Sequence, residues 1–238
     1  MNLLSGDSEL SRPQPTLRER KCARTKHALL RAAVERLREK HLDEITVKEL
    51  CENVQVCEAT FFNYFPKKTD LLHYFVQIWT LEVLWHARAK AGPESGLRFI
   101  EEVFEYTGRQ LAHHPRVMLE IIAHMASDPM APGACEGRPE LSLAERMEAL
   151  PECSGAECYP DLRVPDLFVP ALERAMQRGE LPQGTDRETT MLSLLSVLFG
   201  VPLVLGPDRA GEIAGVYRFQ LRTLWAGLRS GDAAQAAE

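Results

Sequence analysis

Apolar side chains recur along this chain at helical spacing almost from end to end, and no convincing strand interrupts them. Leu17, Ala28, Leu29, Ala32, Ala33, Val34 and Leu37 mark a long amphipathic helix from Thr16 to near Lys40 and His41. Thr46 and Glu49 then form a T-x-x-E capping box, followed by Val47, Leu50, Cys51 and Val54 on one face. After a turn at Gln55-Val56-Cys57, a second short run carries Thr60, Phe61, Phe62, Tyr64 and Phe65, and Pro66 stops it. Two short helices joined tightly in this way predict a helix-turn-helix reader.

A long helix is expected from Lys67 to Ala91, closed by Gly92 and Pro93. Further helices are expected at Leu97–Ala112, Pro115–Ala126, Leu141–Leu150 and Pro165–Arg178, the last closed by Gly179. Asp128–Pro139 and Pro151–Pro165 are expected to be irregular. The stretch from Asp186 to about Leu205 is apolar nearly all round, which predicts a buried helix kinked or ended by Pro202. The last helix is expected over Asp208–Arg229. The pattern predicts an all-α fold of nine or ten helices. Its parts are a disordered tail (1–16), a DNA-binding domain (17–66), a helical effector-binding and dimerisation domain (67–230) and a second tail (231–238).

Charge sharpens this division. The net charge is −6, yet residues 1–70 hold 13 basic and 11 acidic side chains, and the remaining 15 and 23 lie beyond them. Between Arg18 and Lys26 five basic residues face one acid, Glu19. A locally basic end on an acidic body suits a protein whose N-terminal part meets phosphates. No signal peptide is evident, and the longest apolar run, Met191–Leu205, is short and interrupted for a membrane span. A cytoplasmic protein with free thiols and no membrane partner is expected.

In such a reader the second helix lies in a major groove with its first turn against base edges. The candidates are Glu58, Ala59, Thr60 and Asn63, with Phe61 and Phe65 turned to the core. Tyr64, Lys67, Lys68 and Thr46 are candidates for phosphate contact, the last three at helix starts that favour anions.

The span from Arg18 to Leu72 resembles the N-terminal domain of TetR-type transcriptional regulators: a basic first helix, T-V at the second, T-F-F-x-Y-F in the third and F-P-x-K-x-D-L-L into the fourth. The resemblance implies backbone contacts by Thr46, Tyr64 and Lys68 and recognition contacts around Thr60. It also implies a homodimeric repressor, not an enzyme, released from a palindromic operator by a small-molecule effector. The chain departs from the pattern with Gln55 where a glycine is usual, Cys57 in place of a hydroxyl N-cap, and Glu58 after it.

Trp79, Trp85, Phe104, Met118, Met125 and Phe168 are the candidates for lining an effector pocket, which is usually apolar and aromatic. The last two helices, about 186–205 and 208–229, carry more apolar surface than one body covers and are expected to pair in a homodimer. No metal site or cofactor is expected, since C-x4-C at Cys153 and Cys158 is not a strong ligand spacing. Gln55 and Glu58 also leave open an all-helical interaction protein whose reader no longer binds DNA, and two other readings stand beside the first. One is a thiol- or metal-responsive regulator using Cys57, or Cys135, Cys153 and Cys158. The other is an enzyme pairing Cys153 with His113 or His114.

Overall fold

The computed structural model describes residues 14–127 and 139–235 of the chain. Among them are ten α-helices, short 3-10 turns and no strand. The tail expected at 1–16 falls mostly outside the described residues, as do most of the loop expected from Asp128 and residues 236–238.

Helix α1 (Leu17–Leu37) starts on a complete capping box, in which Glu19 N donates to Thr16 Oγ1 (3.3 Å) and Thr16 N to the Glu19 carboxylate (2.7 Å). A 3-10 turn (Leu42–Glu44) leads into α2 (Val47–Val54) and α3 (Glu58–Tyr64). The body follows as α4 (Asp70–Ala91), α5 (Leu97–His113), α6 (Pro115–Ser127), α7 (Leu143–Ala149), α8 (Val169–Gln177), α9 (Arg187–Leu205) and α10 (Ile213–Gln235). Irregular chain between α7 and α8 contains two 3-10 turns, Ala156–Cys158 and Val164–Leu167. The helix expected to start at Pro165 therefore becomes regular only at Val169. Gly179, at φ 70°, closes it as expected.

Two apolar clusters meet along α4. Trp79, Val83, Leu84 and Ala87 of that helix join the body cluster built from α5, α8, α9 and α10. Leu71, Leu72, Tyr74, Ile78 and Leu81 join the cluster of the reading head, with Leu29, Leu37, Leu50 and Phe61. The second cluster also takes in Val117 and Ile121 of α6, and Leu150 and Cys153 beyond α7. Packing thus continues through the boundary expected at residue 66. A buried ion pair between Lys26 on α1 and Glu145 on α7 ties the same parts together, with the Lys26 ammonium 4.6 Å from the Tyr74 ring centre.

Helix α9 corrects the expectation of burial. Thr190, Leu194, Leu195, Leu198 and Pro202 face the body, while Leu192, Leu203 and Val204 are exposed, Val204 by 86%. By length and composition alone α9 could cross a bilayer, yet its inward face is packed in the body cluster. The helix also runs through Pro202 to Leu205. A proline cannot donate to the carbonyl four residues back, here that of Leu198. The Tyr217 hydroxyl donates to that carbonyl instead, at 2.6 Å, from a fully buried ring on α10. The final helix begins later than expected, because Pro207–Glu212 is a 3-10 turn broken at Arg209, and it continues beyond Arg229.

Replacing Tyr217 with Phe keeps the ring and orphans the Leu198 carbonyl in a buried place. Chemical denaturation should show a loss of about 2 kcal/mol, the usual cost of an unsatisfied buried acceptor; an unchanged midpoint would show that the hydroxyl is not needed there.

Candidate DNA interface and effector cavity

The turn between α2 and α3 sets the angle of the reading helix. Thr46 caps α2 by accepting from Glu49 N at 3.1 Å. The return half of the expected box is absent: the Glu49 carboxylate pairs with Lys40 (3.2 Å) and Arg36 (3.1 Å), both near the end of α1. Gln55 ends α2 at φ 59°, the one non-glycine residue at positive φ among the described residues. Val56 N donates to Cys51 O at 3.0 Å across it, so the helix end is satisfied although the residue is strained. Cys57 occupies the N-cap of α3 but gives no side-chain cap, and its Sγ lies 3.1 Å from the Thr60 hydroxyl. That hydrogen bond holds the Cys57 thiol below its ordinary pKa.

Phe61 and Phe65 are buried as expected, with ring centres 5.6 Å apart and Phe65 against Tyr74. The outward face of α3 carries Glu58, Ala59, Phe62 and Asn63. Thr60, expected among the base contacts, is half-buried beside Cys57. Phe62, exposed by 47%, takes a place on the reading face that the sequence reading did not assign to it. The signal was present: two adjacent phenylalanines on a helix lie about 100° apart, so both cannot enter one core. An exposed aromatic ring there suits contact with a thymine methyl.

The flanking candidates divide. Thr46 and Lys67 are exposed and Tyr64 is half-buried, close to Arg18 and Cys22 of α1. Leu17, Arg18, Lys21, Cys22, Thr25 and Tyr64 line an open groove there, adding two α1 cations to the basic side of the reader. Lys68 differs from the backbone contact expected of it. Its ammonium donates to the carbonyls of Leu42 (2.6 Å), Ile45 (2.7 Å) and, more weakly, Asp43 (3.4 Å), so its protons are spent holding the turn before α2.

That turn is held from the other side by α6. Glu120 accepts from the Leu42 amide at 2.8 Å and sits 3.0 Å from His41 Nδ1. Burial works to raise the Glu120 carboxyl, and the Leu42 amide and His41 outweigh it, leaving it below its ordinary value. The Glu120 hydrogen bond in turn raises His41, helped by Glu44 and opposed by burial and Arg116.

The same α6 lines an apolar cavity with Met118, Ile121, Ile122 and Met125, closed by Phe75, Val76 and Trp79 of α4, Thr107 of α5, Val164, and Leu198 and Phe199 of α9. Its free volume is about 30 Å³, room for roughly one water. Of the six residues named as candidates for an effector pocket, Trp79, Met118 and Met125 line this cavity. Phe104 and Phe168 do not: they pack on each other in the core, Phe104 also meeting the Tyr217 ring at 5.0 Å. Trp85, six residues beyond Trp79 and about 240° around the helix, points elsewhere, its indole donating to Ser154 O at 3.0 Å.

The thiols do not assemble. Cys153 is buried and Cys158 exposed, and no group of three His, Cys, Asp or Glu that could hold a metal occurs among the described residues. Cys135 lies outside them. Cys153 is buried in the cluster of the reading head, whereas His113 and His114 line a recess at the α5–α6 corner. No contact joins Cys153 to either histidine among the described residues, so the geometry gives the alternative Cys/His reading no support.

A short helix with an exposed polar and aromatic face, steered by a strapped turn and carried on an all-helical body, defines a helix-turn-helix DNA-binding regulator. Residues 29–75 match the model of the bacterial regulatory proteins of the tetR family, so this part of the chain is similar to the DNA-binding domain of those regulators. No curated protein matches the chain in sequence. Among solved structures the chain is similar to Thermus thermophilus FadR, a TetR family transcriptional repressor in complex with lauroyl-CoA. The TM-score is 0.59 at 21% identity over 84% of this chain and 92% of that one. It is also similar to Salmonella enterica GusR, with TM-score 0.57, 20% identity, 87% of this chain and 96% of that one. The transcriptional regulator FadR from Bacillus subtilis, in complex with stearoyl-CoA, gives TM-score 0.57 at 14% identity over 84% and 98%. At such identities the likeness is one of fold.

The strap has a pH sign. A His held above its ordinary value of 6.5 stabilises the folded form below that pH, and the contribution fades as pH rises through the raised value. NMR titration should place His41 above its ordinary value in the native protein and nearer to it after Glu120→Gln. An identical titration in both would remove Glu120 as the cause.

Proposed function

We propose that this chain is a homodimeric repressor that reads a palindromic operator through α3 and releases it when a small molecule enters the apolar cavity. The observation that carries the reading is the double use of α6, which lines the cavity with four side chains and holds the turn before α2 through Glu120. At about 30 Å³ the cavity admits an effector only if α6 moves away from α4, and that movement strains the Leu42 strap. Glu58, Ala59, Phe62 and Asn63 face the bases, with Thr46, Tyr64, Lys67 and the α1 cations on the backbone. Glu58 accepts from a cytosine amine or penalises other bases. Leu192, Leu203 and Val204 of α9 and Phe219 of α10 supply an apolar face for a second copy, which sets two readers about one DNA turn apart. The work is cytoplasmic.

Gel shifts and anisotropy with genomic fragments test this. A specific fragment should bind in a salt-dependent way. Asn63→Ala should cost about 1–3 kcal/mol and relax one operator position, while Lys67→Ala should weaken all sequences alike and lower the salt slope by about one. Lys68→Ala should instead loosen the turn before α2 and lower thermal stability. Binding that is equally weak on every fragment would overturn the reading.

A further inference from the structure

We propose that the effector is an anionic amphiphile, an aliphatic chain with a carboxylate or phosphate head, whose chain fills the apolar cavity and whose head sits in a basic recess at the α5–α6 corner. This rests on the ligand-released reading above and adds the chemical class of the ligand.

The tail end follows from the lining. The cavity walls expose no polar surface, and their single hydroxyl, Thr107, is already donated to the Val103 carbonyl at 2.7 Å. Apart from the buried Trp79 indole N–H, which has no hydrogen-bond partner, the lining residues offer no spare polar group to repay the desolvation of a polar ligand group, so the part that enters is mainly hydrocarbon. Met118 and Met125, unbranched and adaptable, suit a chain more than a rigid ring.

The head end follows from a second recess of about 420 Å³, in which Arg38, Arg116, His113 and His114 converge, with Asp208 the one acid in its wall. Arg38 has only a 3.3 Å contact with Glu35, between two exposed side chains, and such a pair holds it weakly. His114 is held below its ordinary pKa by burial first and then by Arg38 and His113, against Glu35. The recess also opens on the start of α6, a helix of thirteen residues that begins at Pro115 and whose dipole adds to the side-chain charge.

The two spaces are lined by neighbouring stretches of the same elements. On α6, Arg116 and Val117 line the recess and Met118, Ile121 and Ile122 the cavity. On α5, Thr107 lies in the cavity and His113 in the recess, six residues or about 9 Å along the axis. The α9 end repeats the order, Leu198 in the cavity and Asp208 in the recess. A chain in one space therefore presents its head to the other, and Arg38 lies at the end of α1, part of the reading head.

Calorimetric titration of the DNA-free protein with dodecanoate, dodecyl phosphate and dodecanol, all below micellar concentration, tests the proposal. At least one anionic chain should bind saturably and tenfold or more tighter than dodecanol, and the tighter of the two names the head group. The double variant Arg38→Gln/Arg116→Gln should cut anion affinity at least tenfold and change dodecanol binding less than twofold. Ile122→Trp, checked for folding by circular dichroism, should abolish all three. Equal binding of anionic and neutral chains, insensitivity to the arginines, or no binding of any chain overturns the proposal. Gel shifts on the unsubstituted protein keep the two claims separate: operator binding without chain binding defeats this proposal alone, and absent operator binding there defeats the regulator reading whatever the titration gives.

Discussion

The carboxylate of Glu120 joins two regions of the chain that have different tasks. It stands on α6, whose other faces line the apolar cavity, and it accepts the Leu42 amide and meets His41 in the turn that leads to the reading helices. Lys68, just before α4, holds the same turn by donating to its carbonyls. The orientation of α2, and with it α3, depends on a short segment pinned from both sides. Part-buried hydrogen bonds of this kind contribute only modestly to stability, about 0.5–1.5 kcal/mol each. Their effect is positional, because they select one placement of a turn that the core alone would leave free to shift.

Apolar packing gives that strap its stiffness. Val117 and Ile121, on the same helix as Glu120, are buried in the cluster of the reading head, each worth roughly 1.5–3 kcal/mol. Ile121 also lines the cavity. A helix that shares one side chain between the cavity and the core of the reader cannot be displaced at one without consequence at the other. The reading head is in this sense not an independent domain: it borrows α4, α6 and the chain around α7 to complete its core.

Much of this was legible in the sequence, for identifiable reasons. The helix boundaries followed from caps and breakers such as Thr46, Pro66, Pro115 and Gly179, which act locally. The burial of Phe61 and Phe65 followed from periodicity. What stayed hidden depended on partners distant in sequence. The passage of α9 through Pro202 rests on Tyr217, fifteen residues on and in another helix. The inward use of Lys68 rests on carbonyls more than twenty residues earlier. Which of six aromatic and methionine candidates would line the cavity rests on rotation about α4 and α5, and periodicity gives that rotation only relative to the core, not to a space inside it.

The central claim is that occupation of the cavity and the placement of the reader are coupled through α6, and the Leu42 amide reports on it directly. Hydrogen exchange of that amide can be followed while the cavity is overfilled, by Ile122→Trp, without any ligand. The account predicts faster exchange at Leu42 and neighbouring residues, with the amides in the middle of α1 unchanged. Unaltered exchange at Leu42 in a folded variant would contradict it.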